Sequence, residues 1–361
     1  MARMTTPSPL RNLAPDEFAP ETTYLNTSSY GLAPRRTVEA VKALAERNAT
    51  GRDHNPGSYE TVEQARAAFG RLLGVPAQRV AIGASVSAHV SVVAAALAPG
   101  SEVLLPEGEF ASLVTPFSVR GELKVRYVGL ERLAGEIRPE TALVAWSGVQ
   151  SADGRVADDT AIREAAAAHG ARTLLDMSQS AGWLPTSAGL YDYTVAGGFK
   201  YLLCPRGTSF LTVSEQAQEY TPPLQAGWLA AEDTWASNYG PVSQFASSAR
   251  RFDTSAAFLC YVGAVESLAL VESIGVAAIH AHNVALADLF REGVAALGHT
   301  PVPSPGSAVV AVPGLGARAE ELAAAGVMVS AREGNLRASF HLYNGVGDVE
   351  RVLGVLGSGG R

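Results

Sequence analysis

The sequence predicts an α/β protein in which a mostly parallel sheet, covered on both faces, is followed by a smaller α+β domain. Three observations carry that reading. Short, near-continuous apolar runs alternate with Ala-rich amphipathic stretches through the first 250 or so residues, the pattern of strands buried on both faces by crossover helices. From about residue 253 the pattern changes to two long amphipathic stretches followed by short strands. The chain has 361 residues, 47% hydrophobic and 17% charged, more than one typical core accommodates.

The elements follow in order. Residues 1–20 are rich in Pro and polar residues and read as an extended arm. Residues 79–82 (RVAI) read as a strand, and 87–97 as a helix that Pro99-Gly100 ends. Residues 102–105 (EVLL), 125–128 (VRYV) and 141–146 (TALVAW) read as strands. Residues 158–169 read as a helix closed by Gly170. Strands follow at 172–176 (RTLLD) and 193–196. These segments define a large domain over residues 21–250, and residues 251–361 form the small one. There, 255–274 and 277–297 read as helices and 308–312 (AVVAV) as a strand. A short helix near 318–325, strands at 327–330 and 336–340, and a helix from Asp348 complete it, with 357–361 as a frayed tail.

Composition excludes several classes. A net charge of -7 argues against nucleic acid as the main partner, since phosphate binding needs a basic surface. Two cysteines, Cys204 and Cys260, make no disulfide framework and suggest a reducing compartment. The start lacks the apolar run of a signal peptide, and no stretch reaches the roughly 18 apolar residues of a membrane span. A cytoplasmic protein without a membrane partner is expected. His280 and His282, at i, i+2, do not share a helix face, so no metal site is expected. No G-x-G-x-x-G follows the first strand, and there is no Walker A sequence.

Parallel sheets bind ligands at the carboxyl ends of their strands. Four segments there carry chemistry. Gly83-Ala84-Ser85-Val86-Ser87 is a small-residue turn into a helix start, an anion site by geometry and an ordinary βα turn otherwise. Asp176 ends an apolar strand, where a carboxylate needs a cationic partner or serves as a helix cap. Lys200 stands alone in the Gly-rich apolar run Val195-Ala196-Gly197-Gly198-Phe199-Lys200. It is either a desolvated amine nucleophile or a snorkelling surface lysine. Arg337 is the one charge in a late strand, suited to gripping a carboxylate and equally to a structural ion pair.

Together, in this order, these segments resemble the class V family of pyridoxal-5′-phosphate (PLP) enzymes with the aspartate aminotransferase fold, fold type I. That family includes cysteine desulfurases, kynureninase, serine–glyoxylate-type aminotransferases and isopenicillin N epimerase. The resemblance runs from Tyr24-Leu25-Asn26 to the final strand. Its most specific part is Asp176 and Gln179 followed by Lys200 and Pro205-Arg206-Gly207. Glu107-Gly108-Glu109-Phe110 and Arg250-Arg251-Phe252-Asp253-Thr254-Ser255 bring it nearest the isopenicillin N epimerase-like branch. The resemblance implies a seven-stranded sheet, PLP as cofactor and a homodimer with a shared active site. Lys200 matches the Schiff-base lysine that also shuttles the α-proton, and Asp176 the acid paired with the pyridinium nitrogen. Gln179 matches the residue near the ring hydroxyl, Phe110 the aromatic stacked on the ring, and Ala84 and Ser85 the phosphate-binding turn. Thr254 matches a residue lent to the phosphate across the dimer interface, and Arg337 the arginine that holds the substrate α-carboxylate. Tyr30 and Trp228 are assigned to the substrate pocket. The implied activity is transamination of an amino acid or conjugate, in secondary metabolism by analogy with the branch. C–S or other β-lyase, epimerase and decarboxylating deaminase activities remain open.

The sequence also departs from the family. Phe199 stands where histidine is common before the lysine, Gly197 where serine is common, and Ser151, beside Gln150, where many relatives have Asn. The segment 328–334 lacks the mobile cysteine of desulfurases, which speaks against a persulfide-forming enzyme. Two rivals come from other classes. Ser85, Asp176 and His341 fall in α/β-hydrolase order, although Ser87 occupies the position where the nucleophile elbow needs glycine. A non-catalytic protein of the same fold is the other.

Overall fold

The computed structural model describes residues 10–51 and 57–358. Residues 1–9 of the expected arm and 359–361 of the expected tail lie outside the described residues. In chain order the elements begin with β1 (Thr23–Tyr24), α1 (Arg35–Thr50), α2 (Tyr59–Leu72), β2 (Val80–Gly83), α3 (Val86–Ala95) and β3 (Glu102–Pro106). There follow α4 (Ala111–Ser118), β4 (Lys124–Val128), β5 (Thr141–Ser147), α5 (Asp159–His169), β6 (Arg172–Asp176), β7 (Tyr193–Gly197), β8 (Ser209–Val213) and α6 (Glu215–Tyr220). The last are α7 (Phe258–Ile274), α8 (Val276–Ala296), β9 (Val309–Val312), α9 (Ala319–Ala324), β10 (Val327–Met328), β11 (Ser330–Arg332), β12 (Asn335–Ser339) and α10 (Val346–Ser358). Gly357 and Ser358, expected in a frayed tail, are the last turn of α10.

The main sheet has seven strands in the order β2–β8–β7–β6–β5–β3–β4. Only β8 runs antiparallel, to β7 on one side and β2 on the other. The carboxyl ends of β2, β3, β5, β6 and β7 therefore open on one edge. Alternation within the strands fills two cores. Val144 and Trp146 of β5 join Phe69 of α2, Ile162 of α5 and Leu268 of α7 on one face. Leu143 and Ala145 join Val90 of α3 and Phe117 of α4 on the other. Burial on both faces is why these strands read as continuous apolar runs. Helix ends follow local chemistry. The Asp158 side chain accepts from Ala161 N at 3.1 Å to start α5, and Gly170, at φ 70°, closes it.

A second sheet is antiparallel, β11–β12–β9, and packs with α8, α9 and α10 around Leu286, Phe290, Val310 and Phe340. The start of the chain is built into this region. β1 pairs with β10, Leu13 N donates to Leu342 O at 2.7 Å, and Phe18 is buried beside Tyr343. The described part of the expected arm is thus docked. Among the described residues no single helix is long and apolar enough to cross a membrane. α7 and α8 together have the required length and composition, but they turn through 80°.

Candidate active site

A cavity of about 430 Å³ opens at the carboxyl edge of the main sheet. Ala84 and Ser85 reach it from the end of β2, Phe110 from the end of β3, Ser147 from β5, Asp176 from β6 and Gly197 from β7. Lys200 enters on the turn after β7, and Arg332 and Arg337 close it from β11 and β12. Seven of the ten residues singled out in the sequence line it: Ala84, Ser85, Phe110, Asp176, Gln179, Lys200 and Arg337.

Lys200 is buried, with only 8% of its surface exposed, so it does not snorkel. Its Nζ lies 5.3 Å from the centroid of the Phe110 ring and 5.9 Å from that of Phe199. Burial is the main cause that lowers its pKa to about 8, and the charges of Arg337, Arg332 and Arg206 act the same way against the attraction of Asp176. Asp176 is buried too, and Ser178 N donates to its Oδ1 at 2.8 Å. Residues 178–183 are turns, so it caps no helix. Burial raises its carboxyl above the ordinary range, opposed by the bonds from Ser178 and the charge of Lys200. A protonated ring nitrogen beside this carboxyl would favour its anion.

Arg337 is fully buried. Its Nε donates to Ser330 Oγ at 3.1 Å, Nη1 to the carbonyl and hydroxyl of Ser151, and Nη2 to Ser29 Oγ at 2.8 Å. All are neutral oxygens. Desolvation, helped by the charge of Arg332, lowers its pKa to about 10. The structural ion pair that one reading of the strand allowed is not formed among the described residues. Gln179 Nε2 donates to Ser28 O at 3.1 Å and to Ser151 Oγ at 3.2 Å, while its Oε1 is buried without a partner. Ser85 caps α3, accepting from Ala88 N at 3.3 Å, and leaves that helix start facing the cavity.

Three assigned residues do not line the cavity. Tyr30 stacks on Phe199 at 6.2 Å, and Trp228 joins an aromatic cluster with Tyr59 and Trp235. Thr254 N donates to Ile82 O at 3.4 Å, next to Asp253, which forms a buried ion pair with Arg66 at 2.6 Å. Other residues were not foreseen. Ser28, Ser29 and Arg332 complete the wall. Glu109 accepts from Ser147 N (2.7 Å), Ser147 Oγ (2.6 Å) and Gln150 Nε2 (2.7 Å), and so ties the Phe110 loop to the end of β5. Hydroxyl residues carry no distinctive sequence pattern. Glu109 did stand in a quoted motif.

The hydrolase arrangement is overturned. His341 is fully buried away from the cavity, its Nε2 on Tyr201 O at 2.9 Å and its Nδ1 on Asn283 at 3.3 Å. It cannot serve Ser85 as a base.

Residues 23–352 match the family described as aminotransferase class V. The chain belongs to the class V aminotransferase family. YcbU of Bacillus subtilis, described as an uncharacterized aminotransferase, is 31% identical over 237 residues, 62% of each chain. Isopenicillin N epimerase of Amycolatopsis lactamdurans is 29% identical over 238 residues, 58% of each chain. The matched region thus spans about three fifths of these relatives' length. The apo structure of a cysteine desulfurase from Thermococcus onnurineus superposes with a TM-score of 0.81 at 21% identity, covering 94% of each chain, which shows a shared fold. The cofactor of class V enzymes is PLP, and the residues present fit it. A helix start faces the cavity for a phosphate, Phe110 offers a ring face, Asp176 a carboxyl, Lys200 an amine and Gln179 an unpaired amide oxygen.

Proposed function

We propose that this class V enzyme is an aminotransferase for an amino acid or amino-acid conjugate, with Lys200 as its covalent anchor. One observation carries the reading. A buried lysine with its pKa held near 8 shares a cavity with Asp176 and with a buried arginine that has no acid partner among the described residues.

PLP, when bound, supplies an aldehyde for covalent attachment of an amine and a ring that accepts the electrons of a bond broken at the substrate α-carbon. The chain's own residues do the rest. The Ala84-Ser85 turn and the start of α3 bind the phosphate. Arg206, whose guanidinium lies 4.7 Å over the Phe199 ring, supplies a cation where Phe199 has none to give. Phe110 covers the ring face, Asp176 holds a proton at the ring nitrogen, and Gln179 serves the ring hydroxyl. Lys200 attacks as a neutral amine. Its Nζ would take the proton from the substrate α-carbon and return it to a different carbon, which distinguishes transamination from racemisation, where it returns to the same one. Arg337 binds the carboxylate and sets which α-bond stands across the ring.

Thr254 does not line its own chain's cavity, which supports a homodimer in which it serves the site of a second copy. Neither cysteine lines the cavity. Cys204 is buried in the core, and Cys260 Sγ contacts Arg206 O at 3.1 Å. That supports the reading against a persulfide-forming desulfurase. We also assign the enzyme to the cytoplasm and to secondary metabolism.

The test starts with the absorption spectrum of the purified protein and borohydride reduction, mapping the adduct to Lys200. Adding amino acids should bleach the visible band, and a 2-oxo acid should restore it. Release of ammonia with no acceptor would identify a lyase instead. A colourless protein with no adduct at Lys200 would overturn the assignment.

A further inference from the structure

Four cationic side chains line the cavity, Lys200, Arg206, Arg332 and Arg337, against one carboxylate, Asp176. On the reading above, Lys200 makes the covalent link, Arg206 serves the phosphate and Arg337 the α-carboxylate. Arg332 is left without a task. It ends β11, and Ser330 of the same strand pairs with Arg337 of β12. Its Nη1 donates to Ala331 O at 2.7 Å. Its Nη2 donates to Ser29 Oγ at 3.2 Å, the same hydroxyl that accepts from Arg337 at 2.8 Å.

Two guanidiniums thus converge on one neutral oxygen, and among the described residues neither has an acidic partner. The charge of Arg332 works against the charged forms of Arg337 and Lys200. Arg332 is solvent-exposed where it borders the cavity, and among the described residues no acid occupies its planar fork, which suits an oxyanion brought by a ligand. The shared serine sets that anion within a short side chain's reach of the carboxylate on Arg337.

We propose that Arg332 is a specificity residue that binds a second anionic group of the substrate. The substrate class is then amino acids, or conjugates, that carry a further carboxylate near the first. The proposal rests on the aminotransferase reading of the site.

The test uses the PLP-loaded enzyme and two pairs of probes of like shape and different charge, L-glutamate with L-glutamine and L-aspartate with L-asparagine, plus L-alanine. Dissociation constants come from the change in the visible spectrum. The wild type should prefer the acidic member of a pair. Arg332→Gln should cut that preference about tenfold or more, the scale of one charge-assisted hydrogen bond, with little change for the neutral probes. Arg332→Lys should keep part of it. Equal weakening for all five probes would show that Arg332 helps Arg337 hold the first carboxylate, and would overturn the proposal. So would an unchanged preference, or a wild type that does not distinguish the paired probes. A colourless wild-type protein with no borohydride adduct at Lys200 would overturn the underlying reading, a result separable from the others.

Discussion

Replacing Arg337 with Gln removes a guanidinium that the fold holds fully buried among the oxygens of Ser29, Ser151 and Ser330. The magnitude follows from its surroundings. The fall of its pKa from 12.5 to about 10 corresponds to roughly 3 kcal/mol of penalty on the charged form. A carboxylate docking on that charge returns most of this energy. Its loss should therefore weaken binding of carboxylate-bearing amino acids roughly 100-fold. Gln retains a donor for the serine oxygens, which limits the cost to the fold. The assay is a spectral titration of the PLP-loaded enzyme with L-alanine and, in parallel, with ethylamine, which lacks the carboxylate. The wild type should favour alanine strongly, and the variant should bind the two alike, with the amine's affinity unchanged. An alanine affinity that falls less than about threefold, or an amine affinity that falls with it, would refute the assignment and leave Arg337 a structural residue.

Other consequences can be checked in the same way. Lys200 reacts as the neutral amine, so the rate at which PLP attaches to apoenzyme should rise with pH up to about 8 and level off above it. A rate still climbing near pH ~10 would show an ordinary lysine. Arg66→Ala strands Asp253 in the interior and should cost about 3–5 kcal/mol in urea unfolding, while Arg66→Met combined with Asp253→Leu should recover most of it. A Cβ on Gly31 would stand 2.1 Å from the carbonyl oxygen of Lys200. Gly31→Ala should therefore displace the lysine turn and weaken PLP binding at least about tenfold. Gly135→Ala, which meets open space, is the control.

Six strands of the main sheet were legible as short apolar runs, five of them because burial on both faces writes a continuous one, while edge strand β4 is mostly exposed or half-buried. The seventh, β8, was not. Its run Ser209–Val213 carries Ser and Thr, and it returns from β7 without a helix between them, so the alternation that marked the others is missing. At the site, the residues with rare chemistry in an apolar context were legible, namely Lys200, Asp176 and Arg337. Residues 26–30 show where legibility stops. Ser29 N and Tyr30 N both donate to Asn26 O, and this tight turn sends Ser29 into the cavity wall and Tyr30 onto Phe199. The sequence reading picked the aromatic neighbour, because a turn's handedness is invisible in residue type. Trp228 does not line this chain's cavity either, since Tyr59 and Trp235 hold it in a cluster joined only by tertiary packing. Arg332 left no signal either, as an arginine in a short polar strand reads as surface.

The pairing of β1 with β10, and of Ser29 with Arg337, also sets an order on biosynthesis. Residues 23–30 are synthesised well before their partners at 327–343. In between, the nascent chain holds Lys200 and Asp176 without the wall that Arg332 and Arg337 supply. Contacts between such distant positions form late, after the loop between them has closed. The cavity wall is therefore complete only once both segments are present. A polypeptide released before residue 337 keeps every strand of the main sheet and lacks Arg337 in the cavity wall.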